Sequence, residues 1–78
     1  MTTFEKVRES IVNSLQCEEG IVTQNASITD DLGADSLDIM DLVIEIEDSF
    51  GIKIEDGRVK DIKTVGDIVS VIEESMAA

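Results

Sequence analysis

The chain has no histidine, proline, tryptophan or tyrosine, and its one cysteine is Cys17. Without histidine it lacks the commonest general base and the commonest metal ligand. A single cysteine makes no CxxC pair, no zinc cluster and no intramolecular disulfide, so neither a metal site nor a covalent staple is expected. Positive charge is also scarce: 6 Lys plus Arg stand against 18 Asp plus Glu, a formal net charge of -12. Such a chain repels nucleic-acid phosphates and anionic membranes, leaving basic proteins or cations as the partners that charge would steer. No apolar run is long enough to span a bilayer, and the start Met1-Thr2-Thr3-Phe4-Glu5 is acidic with no signal-peptide core. The expectation is a cytoplasmic protein without membrane insertion. On that expectation the sequon Asn25-Ala26-Ser27 carries no glycan.

Leu, Ile, Val and Phe make up 25 of the 78 residues, well above the roughly 20% below which a charged chain reads as disordered. The chain should fold, as one domain over residues 1–78, with a small core and little stability to spare. Phe4, Val7, Ile11 and Leu15 recur at helical spacing, with Thr2 and Glu5 as a capping box. Arg8 falls inside this stripe, so its stem is expected along the core edge with the charge outside. The helix should stop near Gln16 to Gly20. Residues 17–35 then read as a long polar loop, anchored by Ile21, Val22, Ile28 and Leu32.

The second helix has the plainest signals: Asp35 as N-cap, Ser36 to Phe50 as body and Gly51 as stop. Ile52-Lys53-Ile54 is short and extended, and Glu55 to Ile62 holds at most a turn or two of helix across Gly57. The last helix starts at Thr64, with Asp67 as capping partner and Val65, Ile68, Val69, Ile72 and Met76 as its stripe. The expected fold is all-α: a small four-helix bundle of three main helices and one short one, with a long first loop. It is expected as a monomer.

On a projection of the second helix at about 100° per residue, Ile39, Leu42, Val43, Ile46 and Phe50 share a core face. Asp38, Asp41, Glu45 and Asp48 form an acidic stripe, while Leu37, Met40 and Ile44 make a second apolar strip bordered beyond by Glu47. That strip is either a wide core face against two neighbours or a docking surface, since apolar patches rimmed by polar groups mark interaction sites. Acids three or four apart repel each other and do not help the helix fold, which favours docking.

Ser36 stands at the first position of this helix. As a nucleophile it is opposed by the lack of any His or nearby Lys to take its proton, and by the surrounding acids. Two readings stand: an ordinary helix-start serine, or a hydroxyl that accepts a phosphoryl group delivered by another enzyme. A phosphodiester there would face free backbone N–H groups and the positive end of the helix dipole.

Asp31-Leu32-Gly33-Ala34-Asp35-Ser36-Leu37-Asp38 resembles the phosphopantetheine attachment motif of acyl carrier proteins. The Gly-Ala-Asp-Ser-Leu-Asp string is the specific part, and the likeness runs along almost the whole chain: its length and acidity, Asn25-Ala26-Ser27, Leu42-Val43, Phe50-Gly51-Ile52 and Thr64-Val65. The resemblance implies a non-enzymatic carrier whose motif serine, Ser36, bears a 4'-phosphopantetheine arm derived from coenzyme A. The arm's thiol carries acyl chains between enzymes of dissociated (type II) fatty acid biosynthesis. The implied partners are a phosphopantetheinyl transferase (holo-carrier synthase) and enzymes with basic surfaces. Asp35, Asp38, Asp41, Glu45, Glu47 and Asp48 would meet those surfaces, and Leu37, Met40 and Ile44 would provide apolar contact. Gly33 and Ala34 would keep the approach to Ser36 free of bulk.

The segment Glu55-Asp56-Gly57-Arg58-Val59 departs from the family's acidic third helix, being more basic and more flexible. A polyketide, peptidyl or D-alanyl carrier is the nearest alternative. The peptidyl pattern has Gly-Gly where this chain has Gly33-Ala34, which favours fatty acyl cargo. An unmodified acidic binding module would need the charge but not Ser36. Calcium sensing fails on spacing, because Asp30-Asp31-Leu32-Gly33 brings glycine too early for an EF-hand loop.

Overall fold

Four helices follow one another in a computed structural model that describes residues 2–77: α1 (Thr3–Leu15), α2 (Ser36–Phe50), the one-turn α3 (Asp56–Val59) and α4 (Val65–Ala77). A short 3-10 turn, Glu19–Ile21, interrupts the long first connection. Among the described residues there is no strand, only an isolated antiparallel bridge between Ser27 and Thr64. The expected bundle of three main helices and one minor helix is the observed one.

Each main helix begins where a side chain can satisfy its orphan N–H groups. Thr2 Oγ1 accepts the Glu5 N–H at 3.1 Å and Glu5 Oε1 accepts the Thr2 N–H at 3.1 Å, the reciprocal pair expected for α1. At α4, Thr64 Oγ1 accepts the Asp67 N–H at 3.2 Å, and Asp67 Oδ2 accepts the N–H groups of both Thr64 and Lys63 at 3.0 Å. Those two backbone donors, Thr64 first, hold the Asp67 carboxyl below the usual carboxylate range. α1 ends at Gln16, which takes the left-handed conformation at φ 54°, and α2 ends at Gly51 at φ 66°.

α1 packs against both α2 and α4. Val7 and Ile11 from α1, Leu42, Val43 and Ile46 from α2, and Val65, Ile68, Val71 and Ile72 from α4 are buried together. Ile54 and Ile62 close the core from either side of α3. Arg8 lies as expected at the core edge: its guanidinium sits 5.4 Å from the Phe4 ring centroid and 3.2 Å from Glu19. Two apolar expectations shift. Met76 is 57% exposed, because the last turn of α4 lies beyond the packed part of the helix, and Val71 is buried in the stripe instead.

The first connection is part of the core rather than a surface loop. Val22, Ala26, Ile28 and Ala34 are buried and Leu32 is half-buried. Ile21 is 45% exposed, contrary to its expected anchoring role. A 3-10 turn rotates by about 120° per residue, so with Val22 facing inward its neighbour faces out. The segment is fastened to the start of α4 by its main chain. Lys63 O accepts the Ile28 N–H at 3.0 Å, Ala26 O accepts the Val65 N–H at 3.1 Å, and Gln24 O accepts the Gly66 N–H at 2.9 Å. Glycine suits position 66, since a Cβ there would stand 3.0 Å from Gln24 O, a tighter approach than most side chains make.

This arrangement has a measurable consequence. Ile28 lies in a loop but is fully buried, so Ile28→Ala should destabilise the chain by about 2–5 kcal/mol, as a helix core residue would. Ile21→Ala should cost less than about 0.5 kcal/mol. Urea denaturation of the two variants checks this, and equal small losses would show that the connection is not part of the core.

Candidate functional site

The start of α2 is set by two aspartates that cap each other. Asp35, extended at ψ -174°, accepts the Asp38 N–H on Oδ1 at 3.0 Å, and Asp38 Oδ2 accepts the Asp35 N–H at 3.1 Å. Capping therefore falls to Asp35, not to Ser36. The serine is the first helical residue and is exposed to solvent, so its hydroxyl has no part in starting the helix. That removes the main reason for reading it as an ordinary helix-start serine.

The chain reaches Ser36 through a tight turn. Ser27 Oγ accepts the Asp30 N–H at 3.1 Å, Asp31 Oδ2 accepts the Ser27 N–H at 2.6 Å, and Ser27 O accepts the N–H groups of Asp31 at 2.9 Å and Leu32 at 3.0 Å. Gly33 then takes φ 72°, a left-handed conformation that costs glycine nothing. Nothing lies within 4 Å of the position a Cβ would occupy on Gly33, so backbone conformation rather than space calls for glycine. Ala34 differs from expectation: it is buried, and its N–H donates to Ile28 O at 3.0 Å. It anchors the turn in the core instead of lining the approach to Ser36.

Leu37 is 75% exposed, Met40 53% and Ile44 54%. These values exclude the wide core face and leave an apolar strip open to solvent beside Ser36. Among the acids, Asp35, Asp41 and Asp48 are exposed, while Asp38, Glu45 and Glu47 are half-buried. Two of them have structural work that their spacing did not reveal. Asp38 is committed to the cap, and Glu47 Oε2 accepts the Ile54 N–H at 2.7 Å, fastening the extended segment after α2. Asp41 and Asp48 are the members of the stripe most open to a partner.

A phosphodiester on Ser36 would fit this surroundings. Ser36 is exposed, it opens a 15-residue helix in which the cap engages the Asp38 N–H but not those of Ser36 and Leu37, and the preceding turn carries no bulk at Gly33. The departure around Gly57 shows as a helix of only four residues, Asp56–Val59, with Arg58 paired to Glu74 and Asp61. Cys17 is half-buried, packed against the core.

Comparison with known proteins agrees with this geometry. The family model for the phosphopantetheine attachment site matches residues 5–72. An acyl carrier protein of Thermotoga maritima is 49% identical over 73 residues, covering 94% of this chain and 90% of its own. Among solved structures, a Mycobacterium tuberculosis protein described as an acyl carrier protein superposes with a TM-score of 0.82 at 38% identity, covering 97% of this chain and 96% of its own. The acyl carrier protein of Enterococcus faecalis superposes with a TM-score of 0.77 at 40% identity, covering 94% of this chain and 92% of its own. Sequence, fold and the exposed serine at the head of α2 converge: the chain belongs to the acyl carrier protein family, a carrier rather than an enzyme, bearing 4'-phosphopantetheine as its covalent group.

Proposed function

We propose that Ser36 is the residue that bears the phosphopantetheine arm, and that the chain carries growing acyl groups in dissociated (type II) fatty acid biosynthesis. The observation behind this reading is an exposed hydroxyl at the first position of α2, relieved of capping by Asp35 and bordered by an exposed apolar strip. The arm supplies a terminal thiol on which acyl groups travel as thioesters. The protein's residues supply the rest: Gly33 and Asp35 present the hydroxyl, and the first turn of α2 offers N–H groups to a phosphodiester. The Gly33-Ala34-Asp35 approach, in place of Gly-Gly, supports fatty acyl over aminoacyl cargo.

With coenzyme A and a phosphopantetheinyl transferase, the chain should gain the mass of one phosphopantetheine. Ser36→Ala should gain none while keeping its helical signal, since Asp35 still caps α2 and a surface change of this kind costs less than about 0.5 kcal/mol. Uptake by Ser36→Ala would place the arm elsewhere.

In the same reading, α2 docks partner enzymes in two ways: exposed acids steer, and Leu37, Met40 and Ile44 grip. Asp41 and Asp48 are the acids to reverse, because changing Asp38 would also break the cap. Asp41→Lys with Asp48→Lys should slow association with a basic-surfaced transferase, mainly at low salt. Met40→Ala or Ile44→Ala should instead speed dissociation and leave the salt dependence unchanged. Binding kinetics measured at two ionic strengths separate these effects, and identical behaviour of the two classes of variant would refute the division.

A further inference from the structure

Asp31 belongs to the string that marks the attachment motif, yet it has no part in the cap of α2. It is exposed and acidic, so charge alone would class it with Asp41 and Asp48. Its hydrogen bonds give it a different task.

Ser27 is the joint between the start of α4 and the turn that leads to Ser36. On either side of it, Ala26 O accepts the Val65 N–H at 3.1 Å and Lys63 O accepts the Ile28 N–H at 3.0 Å. In this antiparallel bridge the neighbours make the pairing bonds, and the main-chain groups of Ser27 are turned to the other side. There Ser27 O accepts the N–H groups of Asp31 at 2.9 Å and Leu32 at 3.0 Å. Among the described residues the Ser27 N–H has one acceptor, Asp31 Oδ2 at 2.6 Å. The Asp31 side chain thus closes the turn onto the joint. Beyond it, Ala34, two residues before Ser36, donates its N–H to Ile28 O at 3.0 Å. Without the carboxylate the Ser27 N–H loses its bond, and the turn that presents Ser36 is free to shift.

We propose that Asp31 is a positioning residue for the modification of Ser36, acting through its hydrogen bond to Ser27 and not through its charge. The proposal rests on the reading of Ser36 as the attachment residue. In that transfer the serine oxygen bonds to the coenzyme A phosphorus nearer the pantetheine, the pyrophosphate P–O bond breaks and adenosine bisphosphate leaves. The hydroxyl proton passes to a base of the transferase. An in-line displacement depends on placement, and a shift of about 1 Å can cost on the order of 100-fold in rate.

The test separates shape from charge. Asp31→Asn keeps an acceptor oxygen in the same place and drops the charge, while Asp31→Ala drops both. Each is assayed with coenzyme A and a phosphopantetheinyl transferase, at a temperature where circular dichroism shows it folded. Asp31→Ala should lower kcat about ten-fold and leave KM for the carrier within about two-fold, because α2 keeps its acids and its apolar strip. Asp31→Asn should hold kcat within about two-fold of the parent, at low and high salt alike. Val7→Ala, a core change in α1, controls for lost stability and should match the parent in kcat. If Asp31→Ala does not fold, Asp31→Glu replaces it: the charge stays, the extra methylene spoils the closure, and the same loss of kcat is expected. Equal losses for Asp31→Asn and Asp31→Ala, or a loss carried by KM and removed by salt, would make Asp31 a charge contact and overturn the proposal. So would a parental kcat in Asp31→Ala or its Glu replacement, or an equal loss in Val7→Ala. A parent chain that takes up no arm overturns the Ser36 reading, and this proposal with it.

Discussion

Pairing between the first connection and the start of α4 is the constraint on which the rest of the molecule depends. A 20-residue connection, from Gln16 to Asp35, would ordinarily be a loose surface loop. Here Gln24, Ala26 and Ile28 exchange main-chain hydrogen bonds with Lys63, Val65 and Gly66, so the connection becomes a wall of the bundle and buries Val22, Ala26 and Ile28. Ile28 then holds Ala34, the left-handed Gly33 turns the chain, and Asp35 starts α2 in a set place. The position of Ser36 is thus inherited from a contact between distant parts of the chain. Helix propensity alone would define where α2 begins in sequence, but not where it begins in space.

The charge of α2 shows two demands on one helix. Asp38, Asp41, Glu45 and Asp48 lie three or four residues apart, and like-charged pairs at such spacing each cost roughly 0.2–0.5 kcal/mol. Asp35 and Asp38 offset part of this by capping, and an acid in the first turn is favoured by the helix dipole. Asp41 and Asp48 have no such compensation, and their exposure is what a steering surface requires. The exposed Leu37, Met40 and Ile44 are a second concession, because burying them would have enlarged a small core. Both features are costly to the free chain and are what the proposed docking role calls for.

Local signals were legible in the sequence and long-range ones were not. The bounds of α2 followed from Asp35 and Gly51, and the start of α4 from Thr64 and Asp67, because caps act within three or four residues. The second apolar strip could be drawn on the helix by angle, but only packing could decide whether it was covered. The Ser27–Thr64 bridge left no trace in the sequence, since it is made by main-chain groups common to all residues. The burial of Ala26 and Ala34 depends on the same main-chain pairing, and of the two expected anchors Ile21 and Val22 only Val22 takes an inner place. Glu47 looked like one more surface acid, and its bond to Ile54 N–H depends on how the chain returns after Gly51.

The most direct test of the carrier role is mass spectrometry of the intact protein and its Ser36 peptide, purified from its own host with thioesters preserved at mildly acidic pH. The expected result is a phosphopantetheine arm on Ser36 bearing fatty acyl thioesters of several chain lengths, including 3-oxo, 3-hydroxy and saturated forms. An aminoacyl thioester in their place would contradict a role in fatty acid synthesis, and a Ser36 that carries no arm would contradict its assignment as the attachment residue.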